Sequence, residues 1–329
     1  MLRRQAEHFA LLGSPIYGRL AGQLAEDPAP ARPIIGDDAS WDLGLRLFGA
    51  VHHHVLLGIT PDALSGEWHD FTAALGAHPA SLRRFVEEQG VQTNETQRCI
   101  ALVPAFLTLA RETGLPLDLI ELGPSAGLNL VFDRYGYRYA EGVFGDPEAR
   151  VSFDANERGH VSADLLLTPL VIRSRRGIDL APIDVATTEG SVLLHSFLWP
   201  GLTERATRLD AAIATLLESP TRPELIRGDY VDLLPGLLER RSAEALTVVF
   251  QTASTGYLTQ ARYDLLRASL DEAGADGRPL AWVSTRRMEE RQFAEDDCWE
   301  LEVRVWPAPA RLGALVDFHG NWVDWLEAA

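Results

Sequence analysis

The chain has 329 residues, 46% of them hydrophobic, enough to bury a large core and to form two regions. Its 47 acidic residues outnumber 30 basic ones, and the net charge of −17 argues against a nucleic-acid backbone or an anionic membrane surface as partner. Every basic residue is arginine, so neither a Schiff-base lysine nor a P-loop lysine is available.

Residues 1–115 read as helical. Ser14 followed by Pro15 resembles an N-cap with proline at the first helical position, and Ile16, Leu20 and Leu24 recur at helical spacing. Trp41, Leu45, Phe48 and Leu56 mark a second helix, Trp68, Phe71 and Leu75 a third, and Leu82, Phe85 and Val86 a fourth. Asn94 and Gln97 cap a fifth, with Ile100, Val103, Phe106, Leu107 and Ala110 on its apolar face, a kink at Pro104 and an end at Gly114. His52, His53 and His54 are adjacent on a helix and cannot share one face as metal ligands. No strand is expected before Leu117. The expected division is a helical lid or cap over residues 1–115 and an α/β domain over residues 116–329.

From Leu117 the pattern alternates. Leu119, Ile120 and Leu122 form the apolar run of a buried parallel strand ending near Glu121; Gly123 to Gly127 is a glycine-bounded turn, and Leu128, Leu130 and Val131 begin a helix. A tyrosine- and arginine-rich polar stretch over about 135–165 reads as an inserted hairpin. Then come Gly177–Leu180, a helical region from Ser191 to Leu217, and Glu224–Arg227 leading to Gly228 and Asp229. Leu246–Phe250, a helix around 260–273 and Leu280–Ser284 follow, so strands alternate with helices as in a parallel sheet. Trp299, Leu301, Val303 and Val305 alternate with polar residues, and Leu312 to Phe318 return after Pro307 and Pro309, an antiparallel hairpin closing a sheet of about seven strands. Trp322 and Trp325 have the spacing of a helical docking face.

A strand, glycine turn and helix direct several backbone N–H groups at one spot, and three chemistries use that arrangement. A dinucleotide site needs G-x-G-x-x-G, whereas here the spacing differs and Pro124 removes an N–H. Gly123-Pro124-Ser125-Ala126-Gly127 matches the G-x-S-x-G elbow of serine hydrolases, in which Ser125 requires a later acid (Asp229 or Asp317) and histidine (His160, His195 or His319). In hydrolases, however, strands and not a helical region precede the elbow, and no HGGG-like segment lies upstream. An S-adenosylmethionine site is the third. This cofactor carries no phosphate and needs no full N–H cradle; an acid after the second strand takes the ribose hydroxyls and one after the third accepts from the adenine amino group. Asp179 and Asp229 stand at those places.

On these residues, the chain from Leu117 to Phe318 resembles the class I S-adenosylmethionine-dependent methyltransferase fold, with Glu121 to Gly127 where that family's acidic, glycine-rich first motif lies. The resemblance implies a Rossmann-like α/β sheet, S-adenosylmethionine held by Glu121, Gly123, Ser125, Gly127, Asp179 and Asp229, and methyl transfer to a small molecule. Ser125 stands in place of the motif's middle glycine, the separation of Glu121 and Asp179 requires the inserted hairpin, and Gln251 to Ser254 departs from the Asn/Asp-Pro-Pro-Tyr signature of amino-group methylation. More closely, the whole chain resembles a bacterial family known as domain of unknown function 2332. Val91 to Arg98, Glu121 to Leu130 with Asp133 to Tyr135, and Gly177 to Leu180 carry that likeness, which implies the architecture and no reaction.

Substrate-facing candidates are Asn94 and Arg98, in a polar cluster with Gln92 and Glu95, together with Gln251 and Tyr257 after the fourth strand. Tyr135, Tyr137, Arg138 and Tyr139 alternate as a strand does and either line a pocket mouth or cover the hairpin. Two rival readings stand beside methyl transfer: a serine hydrolase using Ser125, and a non-catalytic ligand-binding protein of Rossmann-like fold. Cys99 and Cys298, the only cysteines, have no metal-type spacing and fit a reducing compartment. The apolar run Phe9 to Leu12 is too short for a signal-peptide core, so a soluble cytoplasmic protein with a small-molecule substrate is expected.

Overall fold

The apolar spacing of the first part of the chain yields α1 (Leu2–Leu11), α2 (Pro15–Glu26), α3 (Arg32–Ile35), α4 (Leu43–Leu56), α5 (Trp68–Ala77) and α6 (Pro79–Glu88). Next are α7 (Cys99–Thr113), β1 (Leu117–Leu122), β2 (Gly136–Tyr139), β3 (Gly142–Phe144), β4 (Ser152–Asp154), α8 (Ala163–Leu166) and β5 (Ile172–Asp179). The chain continues through α9 (Thr188–Ser196), α10 (Thr203–Glu218), β6 (Glu224–Arg227), α11 (Tyr230–Glu239), β7 (Leu246–Gln251) and α12 (Gln260–Gly274). It ends with β8 (Leu280–Arg287), β9 (Cys298–Val305), β10 (Arg311–Asp317) and β11 (Val323–Trp325). The computed structural model describes residues 2–11, 13–38, 40–287 and 298–326. No helix among them is long and apolar enough to cross a membrane.

The chain divides into two units, residues 1–93 with 183–210, and residues 94–182 with 211–329. Thus α7 groups with the sheet, although the sequence reading assigns it to the helical region, and the segment carrying α9 groups with the N-terminal helices. In the first unit Phe9, Tyr17 and Phe48 meet with centroid separations of 4.5 to 5.6 Å, and Phe71 stacks on Phe48 at 5.4 Å. Trp199 joins them 4.8 Å from Phe9, which ties the returning segment into this aromatic core. Pro200 and Gly201 split the single helical region expected at 191–217 into α9 and α10.

The second unit is α/β. Its large sheet has the order β11-β10-β9-β8-β7-β1-β5-β6. β6, β5, β1, β7 and β8 run parallel, and β9, β10 and β11 extend them antiparallel. The winding direction reverses between β1 and β7, and open α/β sheets take ligands beyond the carboxyl ends of strands at such a reversal. The sheet has eight strands where about seven are expected. The additional one is β11, where tryptophan spacing predicts a helix. Val323 donates its N–H to Asn156 O and accepts from Arg158 N, so backbone pairing with a distant loop overrides the local pattern. Trp322 instead packs under Arg158, whose guanidinium lies 3.9 Å from its ring centroid.

Every β1 side chain is buried, and α7 is buried along Cys99 to Ala110, as a helix apolar on all sides must be. Phe106 of α7 lies 4.9 Å from Phe132 and 5.2 Å from Phe250, centroid to centroid, and joins helix to sheet. Gly114 ends the helix in the left-handed region, its N–H on Ala110 O. The inserted segment forms a separate sheet, order β3-β2-β4, in which β4 pairs parallel to β2 beyond the expected hairpin. Tyr135, Tyr137 and Tyr139 are buried and donate their hydroxyls to Leu128 O, Phe132 O and Ile100 O, so they clamp backbone carbonyls and line no mouth.

Gly177 on β5 permits Pro124 to cross it: a Cβ there would stand 2.5 Å from Pro124 Cγ and 3.1 Å from Leu225 Cδ2. Gly177→Ala should therefore lower stability by about 1–3 kcal/mol in urea unfolding, and Pro124→Ala in that background should recover part of the loss. An unchanged midpoint in Gly177→Ala would show that the turn steps aside freely.

Candidate functional site

The turn after β1 is held by left-handed backbone at Gly123, Ser125 and Gly127, with φ of 71°, 55° and 78°. Among the described residues Ser125 is the one non-glycine in that region, a conformation that costs energy without a compensating contact. The compensation is Asp179: its Oδ2 accepts Ser125 N at 2.9 Å, while Oδ1 accepts Ala181 N at 2.9 Å. Gly123 N reaches Ile178 O at 2.9 Å, Ala126 N reaches Asn94 Oδ1 at 3.2 Å and Gly127 N reaches Pro124 O at 2.8 Å. Each N–H that the turn possesses is thus satisfied within the chain. Gly123 has a packing reason as well, since a Cβ would stand 2.5 Å from that of Ser254, whose hydroxyl donates to Leu122 O at 2.6 Å. The expected helix after the turn is a 3-10 helix, Leu128–Arg134, distorted at Val131. Arg175 pins its end with two 2.8 Å bonds to Asp133 and one of 2.6 Å to Leu130 O.

Glu121 lies level with Gly177 and Phe250 at the carboxyl end of β1, 2% exposed. Asn129 donates to its Oε1 at 3.2 Å and itself accepts from Cys99 Sγ at 3.4 Å, while Oε2 has no partner among the described residues. Burial raises the Glu121 carboxyl to about 8, aided by the charge of Asp179 and opposed by Asn129 and Arg98. It is consequently protonated near neutrality. Asp229 serves as N-cap of α11, its Oδ1 accepting Val231 N at 2.8 Å, and its Oδ2 meets Arg262 at 2.6 Å. Tyr230 next to it is pushed up to about 12 by burial, with Asp229 and Asp179 adding to the shift and the bond from its hydroxyl to Ser254 O, at 3.2 Å, opposing it.

Asn94 does not cap the following helix. Glu95 caps the 3-10 turn Thr96–Arg98 that leads into α7, accepting Gln97 N at 3.1 Å, and the Asn94 amide oxygen holds the glycine turn. Arg98 is buried, with Nε on Phe318 O at 2.8 Å and its guanidinium 4.3 Å from the Phe318 ring centroid. Gln251 is fully buried and joins strand ends, Nε2 donating to Ser284 Oγ at 2.7 Å and Thr285 O at 2.8 Å. Tyr257 is half exposed on a 3-10 turn, Ser254–Tyr257. The structure therefore gathers Asn94, Glu121, Ser125 and Asp179 about the turn, and Gln251 lies one residue past the pairing of Phe250 with Glu121, committed to the strand ends. Ser125 Oγ is buried without a hydrogen-bond partner among the described residues, and His160 pairs with Glu141 at 2.7 Å, so neither forms the contacts of a triad. Asn129, Ser254, Thr252 and Thr285 also belong to this edge of the sheet; as isolated polar residues in ordinary loops and strands they carry no motif.

The family model described as "Uncharacterized protein conserved in bacteria (DUF2332)" matches residues 1–325. The chain belongs to this family. The match covers both units, so the family is defined by helices and sheet together. No curated protein matches the chain.

The raised carboxyl of Glu121 has a sign. An unfolded chain releases this proton at an ordinary carboxylate pKa, whereas the folded chain keeps it up to about 8. Between those values the unfolded state binds fewer protons, so stability should fall as pH rises, by roughly 1 kcal/mol per pH unit, and level off above the folded pKa. Urea midpoints across that window should show the slope in the native chain and lose this component in Glu121→Gln. Equal slopes would mean that the folded carboxyl is ionised.

Proposed function

We infer that this chain is a methyltransferase of the class I type, binding S-adenosylmethionine at the winding reversal of its sheet and methylating a small molecule. One observation supports the reading above others. The parallel strands follow the order β6-β5-β1-β7-β8, a Rossmann-like winding, and Glu121, Asp179 and Asp229 stand at or just beyond the carboxyl ends of β1, β5 and β6.

The residues fit the adenosyl end of the cofactor. Each oxygen of Asp179 takes one backbone N–H and keeps a lone pair, which suits the two hydroxyls of a ribose. Leu180, exposed on the next residue, offers an apolar surface to the base. Asp229 would accept from the base only with lone pairs left over by Val231 N and Arg262. When bound, the cofactor supplies an electrophilic methyl group; the chain holds the acceptor in line and excludes water. Glu121, protonated near neutrality, is a hydrogen-bond donor there and no general base.

A second reading, ligand binding without transfer, is favoured by the closed state of the turn, whose N–H groups already serve Ile178, Asp179, Asn94 and Pro124. Calorimetric titration with S-adenosylmethionine and S-adenosylhomocysteine addresses both. Binding of both at sub-millimolar affinity is expected, about tenfold weaker in Asp179→Asn, where one acceptor oxygen is lost. A chain that gives no heat with either compound, or an Asp179→Asn variant with native affinity, would remove the cofactor assignment.

A further inference from the structure

Arg262 stands in the first turn of α12, whose N-cap Thr259 accepts its backbone N–H at 3.4 Å. A cation there opposes the helix dipole, and no acidic residue shares that turn. The side chain instead crosses to the start of α11. Its Nη2 meets Asp229 Oδ2 at 2.6 Å, and its Nη1 donates to Asp232 Oδ1 at 2.9 Å. The side chains of Arg262 and Asp229 are 32% and 35% exposed. A pair so open to water adds little to stability, so folding alone gives a poor account of its position.

Under the function inferred above, Asp229 accepts from the amino group of the base. Asp179 pairs with Arg227 across β5 and β6 and takes Gly228 N on its backbone oxygen at 2.8 Å, so Asp229 follows two residues beyond the neighbour of the ribose acid. Tyr230, next in the chain, donates its hydroxyl to Ser254 O at 3.2 Å and ties the start of α11 to the turn after β7. Asp229 and Arg262 thus present an acceptor and a donor side by side. The carboxylate retains lone pairs after Val231 N and Arg262, and the guanidinium has more N–H bonds than its two carboxylate contacts use. An acceptor beside a donor is the complement of a 6-aminopurine, whose amino group is flanked by the ring nitrogens N1 and N7. A 6-oxopurine in the same orientation turns a carbonyl on the carboxylate and is repelled. A carboxylate by itself reads the amino group only; the arginine supplies the second contact that makes the edge specific.

We propose that Arg262 is a specificity-determining residue of the nucleoside site, donating to the ring nitrogen beside the amino group that Asp229 accepts from. For the location of the base this rests on the function inferred above. The test is calorimetry on the full chain with adenosine, 1-deazaadenosine, 7-deazaadenosine and inosine. Adenosine should saturate with a Kd of about 1 mM or tighter. Inosine and one of the two deaza compounds should bind about tenfold more weakly, and the deaza compound affected names the edge that Arg262 reads. Arg262→Leu should weaken adenosine about tenfold and bring it level with that deaza compound, at an unchanged melting temperature. A merely structural ion pair would not move this ratio. Native or tighter adenosine binding in Arg262→Leu would overturn the proposal, since the arginine would then do no more than obstruct Asp229. Both deaza compounds equal to adenosine in the native chain, inosine tighter than adenosine, or no saturation by adenosine up to about 20 mM would overturn it as well. The expected nucleoside pattern without binding of S-adenosylmethionine or S-adenosylhomocysteine would remove the methyl-transfer reading alone. Binding of both with native affinity in Arg262→Leu would remove the role of the arginine alone.

Discussion

The bond from Ser125 N to Asp179 Oδ2 governs the architecture around the turn. A residue with a side chain is held at φ 55°, and the carboxylate that holds it comes from the strand next door, fifty-four residues on. Because Oδ1 of the same group binds Ala181 N, one side chain sets both the turn after β1 and the exit from β5. Pro124 lies over Gly177, Ser254 over Gly123, and Asn94 closes Ala126 N from a third direction. Loss of the carboxylate would leave a strained backbone and two donors, the buried Ser125 N and the half-buried Ala181 N, unpaired at once, so its structural duty precedes any duty to a ligand.

Beneath that turn lies a polar line in an otherwise apolar core: Cys99 to Asn129 to Glu121. Burial makes neutral forms the favoured ones, and it also drives the Cys99 thiol well above its usual range. The line is therefore a chain of neutral hydrogen bonds and no ion pair. Charge is kept instead at its flanks, on Asp179 and on Arg98, which act on Glu121 with opposite sign. Proximity of opposite flanks in a medium of low polarisability makes Glu121 responsive to whatever charge enters the neighbouring cleft.

Much of this was legible in the sequence where the signals are local. The apolar run of β1, the glycines on either side of Ser125, Gly177 before Asp179 and Gly114 after α7 are short-range statements about backbone, and each element formed where its residues direct. What stayed hidden depends on partners far away in the chain. Nothing in Asn94 announces Ala126. Trp322 and Trp325 carried a helical spacing, yet pairing with Ala314 to Val316 and with the loop at Asn156 made them part of a strand. The tyrosines near 137 kept their alternation, but the carbonyls they bind, on α7 and on the 3-10 helix, are visible only once the chain is folded.

The margins of the large sheet have a consequence for the behaviour of the chain in concentrated solution. Its central strands β1 and β7 are buried throughout, and sheets tend to recruit further strands at their borders. Here one border is β6, four residues from Glu224 to Arg227 with a charge at each end, and the other is β11, three residues only. Neither border offers enough free backbone to template a copy of itself, and the acidic surface adds mutual repulsion. Resistance to ordered self-association is thus built into the outline of the sheet, independently of what its cleft binds.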